Sequence, residues 1–315
     1  MSISPANNKV VIIFNVVSRF HYSWLVKGTC FSNDTLDIQL LSIDIKELPT
    51  LSNSNIVCHI GKSETESKKG IVPFEFQFLL RDISGPENIE ITFNFNDNIQ
   101  VLVTLRDAVE SIEPENNEIG LHFADYLLKP EVKCLLDVGG RARSGILHSL
   151  KYADKKVTVL DILPGQGVDV VGDAHEMSKV LPNNHFDAIR CSAVFEHIIM
   201  PWKVAVEMNR VMRVGALALI STHQTIGMHD LPWDYYRYSD TAWHGIFNKH
   251  TGFKVIDTKL SNLMFIIPFR WKDRYMQVEK TAGYESSVVL VEKIGKSTVD
   301  WPISTKDVVQ DFYPA

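Results

Sequence analysis

Three aspartates each follow a short apolar run. A carboxylate in this position commonly accepts hydrogen bonds from a bound nucleoside. Asp161 lies about 24 residues after Asp137, which resembles the spacing at which an acid accepts hydrogen bonds from a ribose diol. Glycines after Asp137 let a ligand approach the backbone closely, and a carboxylate at Asp173 suits an adenine amine. One such aspartate alone more commonly caps a helix or forms a turn. Because three occur together, we predict a nucleoside-type cofactor.

A second group of polar side chains lies in residues 221–238, a segment too polar to be core. It contains two histidines, two aspartates, one arginine and four aromatic residues. Histidine has an unperturbed pKa near 6.5 and is the natural base for a hydroxyl acceptor. We predict His223 and His229 as bases, with Asp230 or Asp234 as the orienting partner. His197 is a further candidate base.

The aromatic residues of this segment suit an acceptor with flat apolar faces. Trp233, Tyr235 and Tyr236 can stack on a sugar ring. In the structural alternative, Asp234 pairs with Arg237 and the aromatic side chains cover the edge of a sheet. Both interpretations stay open at this point.

A metal site would use side chains of the same segment. His223, His229 and Asp230 are metal-ligand types, but nothing fixes their spacing as a helical His-x-x-x-His would. We therefore expect no metal.

The elements that must position these residues alternate between strands and helical stretches after residue 119. This order favours a parallel sheet with crossover helices, and such sheets bind ligands at the carboxyl ends of their strands. A helix over 202–212 follows Pro201 and ends at Gly215. Seven strands are predicted, over residues 132–137, 157–161, 168–171, 186–191, 216–221, 253–259 and 287–293.

These motifs occur in the order found in the class I S-adenosylmethionine-dependent methyltransferases, and residues 121–294 resemble the type 11-like members. The subgroup is indicated by Glu196 and His197 after the fourth strand and by the segment 209–215, Asn-Arg-Val-Met-Arg-Val-Gly. The resemblance implies S-adenosylmethionine as cofactor and a Rossmann-like, seven-stranded doubly wound sheet. The implied cofactor-binding residues are Asp137, Gly139, Gly140, Asp161, Ile162, Asp173, Ala174, Ser192 and Glu196. The first loop differs from that of the family, because it contains Arg141 and Arg143. Each arginine either faces solvent or contacts the cofactor's carboxylate.

The segment after the fifth strand resembles methyltransferases of bacterial sugar and polysaccharide biosynthesis. The resemblance implies O-methylation of a sugar or other small-molecule hydroxyl. The implied substrate-binding residues are His197, Trp233, Asp234, Tyr236 and Arg237. Three alternatives remain: N-methylation of a small molecule, an inactive carbohydrate-binding or scaffold protein, and a nicotinamide oxidoreductase. The last is disfavoured because Gly139, Gly140 and Gly145 lack the Gly-x-Gly-x-x-Gly spacing.

The first third of the chain has short runs rich in β-branched and aromatic residues, which predict a smaller all-β, sandwich-like domain. Its strands are expected over residues 10–17, 36–45, 56–60, 74–80, 89–95 and 99–105, with an exposed loop over 61–70. Side chains at His21, Tyr22, Trp24 and Phe31 either form a carbohydrate-binding surface or, more commonly, pack. The acidic stretch 110–118 separates residues 1–112 from a methyltransferase domain over 119–296 and a tail over 297–315. Residues 1–112 are expected to serve in homodimerisation or in docking to a glycosyltransferase.

Composition limits the partners. The chain has 315 residues, 45% hydrophobic, with a formal charge of −6 and a pI near 6.0, so it lacks the basic excess of nucleic-acid binders. Four scattered cysteines without a CxxC pair predict free thiols of a reducing compartment. The sequence shows no secretion signal and no membrane span, so we expect a soluble, cytoplasmic protein.

Overall fold

The computed structural model of the protein forms two units, Met1–Pro114 and Glu115–Ala315, whose boundary falls inside the acidic stretch 110–118. Of the sequence predictions, the loop 61–70, His21, Tyr22 and Gly145 lie outside the described residues. The structure describes residues 9–20, 23–32, 38–47, 56–60, 71–79, 89–112, 117–143, 152, 154–266 and 283–309. No helix within these ranges has the length and apolar character needed to cross a membrane.

The first unit contains two antiparallel sheets and one helix. One sheet has the order β1-β2-β5-β4 and the other β3-β6-β7. The strands are β1 (Val10–Phe20), β2 (Ser23–Ser32), β3 (Leu40–Glu47), β4 (Ile56–Ile60), β5 (Ile71–Leu79), β6 (Ile89–Phe95) and β7 (Gln100–Thr104), followed by helix α1 (Leu105–Ser111). Side chains from both sheets share one apolar core.

Aromatic rings fill the space between these two sheets. Phe93 of β6 lies 5.0 Å from Phe74 of β5 and 6.1 Å from Phe14 of β1, both in edge-to-face geometry. Trp24 is buried and stacks on Phe78 at 6.5 Å, so it packs and does not form a binding surface. The sandwich-like prediction thus agrees with the shared core, but β2 was not predicted.

The second unit is built on a seven-stranded sheet of order β10-β9-β8-β11-β12-β14-β13. Its elements are α2 (Glu118–Leu127), β8 (Cys134–Val138), β9 (Lys156–Asp161), β10 (Val170–Val171), β11 (Phe186–Ser192), α3 (Pro201–Val211), β12 (Met212–His223), α4 (Trp243–Ile246), β13 (Phe253–Met264) and β14 (Gly283–Lys293). All seven predicted strands are present. Strand β14 runs antiparallel to both neighbours, whereas the prediction was a parallel sheet.

Both faces of this sheet are covered, as a doubly wound fold requires. Leu136 of β8 belongs to the core that includes α3, while its neighbour Leu135 belongs to the core that includes α2. Helix α3 begins with Pro201 and ends at Val211, with Met212 as its C-cap. The prediction that Gly215 ends this helix is wrong, because Gly215 lies inside β12 with a φ of 84°.

Candidate functional site

A cleft of about 900 Å³, including its open mouth, lies at the carboxyl ends of β8, β9 and β11. The strand order reverses beside β8, and this reversal is where open α/β sheets bind ligands. The cleft is lined by Val138, Gly139, Arg141, Arg143, Leu160, Asp161, Ile162, Gly172, Asp173, Ala174, His175, Ala193, Val194, His197, Ile198, Ile199, Trp233, Tyr235, Thr305 and Val309. Five of the nine predicted cofactor residues are on this wall.

The glycine turn after β8 leaves bare backbone at the cleft. Gly139 has a φ of 75°, and a Cβ there would lie 2.2 Å from Cγ2 of Val194, so only glycine fits. Asp137 is buried and does not line the cleft. It pairs with Arg190 at 3.1 Å, and a Cβ on Gly140 would meet it at 2.6 Å. Asp137 therefore supports the turn from beneath.

Asp161 ends β9 and reaches the cleft beside Ile162. Its Oδ1 accepts a hydrogen bond from the backbone N–H of Leu163 at 3.0 Å and lies 3.4 Å from Nε of Arg141. Arg141 thus turns to Asp161 and not to solvent. Because a carboxylate offers about four lone-pair sites, Asp161 keeps acceptors for a ribose diol.

Asp173 caps the short 3-10 helix Ala174–Lys179 and also lines the cleft. Oδ1 accepts from the backbone N–H of His175 and lies 2.7 Å from its Nδ1, while Oδ2 accepts from the Thr305 hydroxyl at 3.0 Å. Burial raises the pKa of the Asp173 carboxyl, but the bonds from His175 and Thr305 outweigh burial and lower it below its ordinary value. Sequence reasoning missed both partners, and Thr305 comes from the predicted tail.

The turn after β11 brings one small residue to the cleft. Ala193 lines the wall with a φ of 53°. The adjacent Ser192 does not line it, since its hydroxyl accepts from Ser221 at 2.9 Å. Glu196 is 0% exposed and also lies off the wall.

Three imidazoles surround the buried Glu196. Its Oε1 lies 3.1 Å from Nε2 of His223, and 4.0 Å from Nε2 of both His197 and His229. The other oxygen, Oε2, accepts from the Thr222 hydroxyl. We call Glu196, His197, His223 and His229 the histidine cluster. Burial lowers the pKa of His223, although Glu196 acts in the opposite direction.

The acidic residues next to the histidine cluster are paired with arginines. Asp230 accepts from both terminal nitrogens of Arg143 at 2.6 and 3.3 Å, and its Oδ2 lies 4.0 Å from Nε2 of His197. Asp234 accepts from Arg237 at 2.6 and 2.7 Å, the ion pair of the structural alternative. The hydrogen bonds from Arg237 lower the pKa of Asp234 to about 2.

The aromatic residues of the segment divide between the cleft and the interior. Trp233 and Tyr235 line the cleft. Tyr236, predicted to bind substrate, donates its hydroxyl to the carbonyl of Ile199 at 3.0 Å and packs against the core. The structure therefore places Tyr235, not Tyr236, beside Trp233.

Comparison with known proteins identifies part of this unit. Residues 136–220 match the methyltransferase-domain family, while no curated protein gives a significant match. An S-adenosylmethionine-dependent methyltransferase from Archaeoglobus fulgidus is 16% identical, covering 56% of this chain and 92% of its own, with a TM-score of 0.42. One from Aquifex aeolicus is 18% identical, covering 55% and 88%, with a TM-score of 0.38. The 1,6-didemethyltoxoflavin-N1-methyltransferase of Burkholderia thailandensis, bound to S-adenosylhomocysteine, is 14% identical, covering 57% and 78%, with a TM-score of 0.41.

The match supports S-adenosylmethionine as the cofactor. The cleft fits it, because Gly139 leaves room where any side chain would clash and the predicted ribose ligand, Asp161, lines the wall beside apolar residues.

Proposed function

We propose that this chain is an S-adenosylmethionine-dependent methyltransferase that methylates a hydroxyl oxygen of a small molecule, with a sugar as the acceptor class. The observation that carries the proposal is the histidine cluster, which has one member, His197, on the cleft wall and a fully buried carboxylate behind it. A hydroxyl acceptor must lose a proton, and an imidazole held at the cleft can receive it.

The two ends of the cleft support different ligands. Gly139, Asp161 and Asp173 form the cofactor side, and the ends of the parallel strands fix them. On the other side, Trp233 and Tyr235 line the wall. Aromatic faces with polar neighbours suit a sugar ring, which is why we assign this side to the acceptor.

When bound, S-adenosylmethionine supplies a methyl group on a positively charged sulfur. The methyl group would pass to the acceptor oxygen as its carbon–sulfur bond breaks, and Nε2 of His197 would receive the acceptor's O–H proton. Holding the oxygen in line with this bond supplies much of the acceleration. Nδ1 of His197 donates to the Trp233 carbonyl at 2.7 Å, which leaves the lone pair on Nε2.

Two carboxylates support His197 in this scheme: Asp230, which was predicted to be catalytic, and Glu196, which was predicted to bind the cofactor. Glu196 and Asp230 each lie 4.0 Å from its Nε2 and stabilise the imidazolium that forms. His223 and His229, the bases predicted from sequence, contact Glu196 but do not line the cleft.

Replacing His197 with glutamine tests the proposal. We expect turnover to fall by about 10²–10⁴-fold, because the base is lost, while the affinity for S-adenosylmethionine stays unchanged. The measurement is S-adenosylhomocysteine release with sugars and sugar nucleotides as acceptors, and mass spectrometry locates the methyl group.

The exposed His244 provides the matched control, since His244→Gln removes an imidazole away from the cleft. Full turnover in His197→Gln, or a methyl group found on nitrogen or carbon of the acceptor, would overturn the proposal.

A further inference from the structure

We propose that Glu196, His223 and His229 bind a divalent transition-metal ion. The acceptor hydroxyl would then bind this ion before it is methylated, a step that rests on the proposed function. The binding of the ion itself does not rest on it.

The donor atoms already lie close together. One ligand atom from each of Glu196, His223 and His229 lies within 4.8 Å of the other two. Metal bonds of about 2.0–2.2 Å in a tetrahedral site place neighbouring donors roughly 3.4 Å apart. The 3.1 Å contact of His223 with Oε1 is already that short, and the 4.0 Å contact of His229 needs to close by less than an ångström.

The protonation pattern of the rings leaves their lone pairs facing the carboxylate. Nδ1 of His229 lies 3.1 Å from the carbonyl of Gly227, and Nδ1 of His197 lies 2.7 Å from that of Trp233. A carbonyl only accepts, so both protons sit on Nδ1. In the neutral rings, Nε2 of His229 and Nε2 of His197 then present lone pairs toward Oε1 of Glu196, so a cation between His229 and the carboxylate would satisfy both acceptors.

The nearby arginines make their close ion pairs with other carboxylates. Glu196 is fully buried, and its Oε1 receives no hydrogen bond. Within the described part of the chain its ion-pair partners are histidines only. The two neighbouring arginines, Arg143 and Arg237, form bidentate pairs with Asp230 and Asp234. A buried carboxylate without a cation is strongly unfavourable.

The surroundings of the donors resemble those of metal ligands. Histidines that bind a metal through Nε2 usually donate Nδ1–H to a carbonyl, which fixes the ring, and Gly227 does this for His229. The Thr222 hydroxyl holds the second oxygen of Glu196, so the carboxylate is oriented as well.

The donor types select the class of metal. Imidazole and carboxylate together suit Zn²⁺ and its neighbours such as Co²⁺, whereas Mg²⁺ and Ca²⁺ prefer oxygen ligands. Sequence spacing did not indicate this site, because the carboxylate is Glu196 and not Asp230, and it precedes His223 by 27 residues.

Cobalt substitution of the full chain, without cofactor or acceptor, tests the site. After treatment with a chelator, the protein is titrated with Co²⁺, followed by visible absorption, and the bound metal is counted by elemental analysis. We expect one Co²⁺ per chain with ligand-field bands, displaced by Zn²⁺ and not by Mg²⁺.

Variants assign the ligands. Glu196→Gln and His229→Ala should abolish the ligand-field bands, Thr222→Val should weaken binding by about 10–100-fold as expected for a supporting contact, and His244→Ala should bind as wild type. Calorimetric titration with S-adenosylmethionine verifies that each variant is folded. Less than one tenth of a Co²⁺ per chain, or bands that persist in both ligand variants, would overturn the metal site.

Turnover separates this inference from the proposed function. We expect methyl transfer to fall at least about 10-fold in chelated protein and to return with Zn²⁺ or Co²⁺. Full turnover without metal would overturn the metal-bound acceptor and leave hydroxyl methylation standing.

Discussion

One oxygen of the Asp161 carboxylate contacts both the turn after β9 and the Arg141 side chain. Oδ1 takes the backbone N–H of Leu163 and faces Nε of Arg141. Arg141 therefore has a local role in this loop, since it partly neutralises the acid that would meet the ribose.

Removing this carboxylate should weaken cofactor binding. Asp161→Ala is expected to raise the Kd for S-adenosylmethionine by about 10–100-fold, because hydrogen bonds to charged groups contribute about 1.5–3 kcal/mol. Calorimetric titration with S-adenosylmethionine and with S-adenosylhomocysteine measures the change.

Arg141→Ala is the matched control, since it removes the cation and keeps the acceptor, and its Kd should change less. A Kd for Asp161→Ala within twofold of wild type would show that the ribose is not held there.

Sequence reasoning found the acids of the site but not their partners. Asp161 and Asp173 stand out because each ends a short apolar run. The partners Arg190 of Asp137 and Thr305 of Asp173 are far away in the chain, so only the assembled sheet shows them. The same holds for Glu196, which was predicted as a cofactor residue and lies in the histidine cluster.

At the amino end of β11, Asp187 joins three strands of the large sheet. Its Oδ2 accepts from the backbone N–H groups of Lys133 and Cys134, both at 2.9 Å, and its Oδ1 accepts from Arg213 at 2.6 Å. Burial raises the pKa of the carboxyl, but these bonds outweigh burial and lower it below its ordinary value.

Asp187→Asn should therefore destabilise the second unit in a pH-dependent way. A carboxyl with a lowered folded-state pKa contributes stability above its unfolded pKa of about 3.9, and this contribution disappears as pH falls through the folded pKa. We expect a loss of about 1–3 kcal/mol at pH 7 and a smaller difference at pH 3, measured by urea unfolding.

Asp125→Asn, which changes an exposed carboxylate on α2, controls for net charge. An equal loss for Asp187→Asn at both pH values would contradict the role of the ionised carboxylate.

Alternation of strands and helices predicted the seven strands of the second unit because each apolar run is bounded by turn residues. Strand β2 was missed since Gly28 interrupts its apolar pattern, although Trp24, Val26 and Cys30 are buried on one face. A Cβ on Gly28 would lie 2.5 Å from the ring of Phe74. The glycine that weakens the strand signal thus makes room for an aromatic ring.

All residues that line the cleft belong to the unit Glu115–Ala315. A shortened chain of residues 115–315 should therefore fold and bind S-adenosylmethionine with a Kd within about threefold of the full chain, since no contact of the cleft is removed. Circular dichroism melting and calorimetric titration are the measurements.

The shortened chain with Asp161→Ala is the control for specific binding. A folded 115–315 chain that does not bind the cofactor would contradict the assignment of the whole cofactor site to this unit.

The predicted tail also belongs to this unit. Nζ of Lys203 donates to the carbonyls of Trp301 and Ile303 at 3.0 and 2.7 Å, and Thr305 reaches Asp173. Backbone carbonyls that accept from a distant lysine leave no mark on the side-chain pattern, so sequence alone left residues 297–315 without a role. The functions predicted for residues 1–112, dimerisation and docking to a glycosyltransferase, stay predictions.

The acceptor side of the cleft comes mostly from one continuous stretch of chain. Within it Asp234 pairs with Arg237, and the carbonyl of Glu196 holds it through the backbone N–H groups of Tyr235 and Tyr236. Neither anchor depends on which side chains face the ligand. Evolution can therefore exchange the cleft-facing positions of this stretch, such as Trp233 and Tyr235, and reach new acceptors while the machinery that holds the methyl donor is inherited intact.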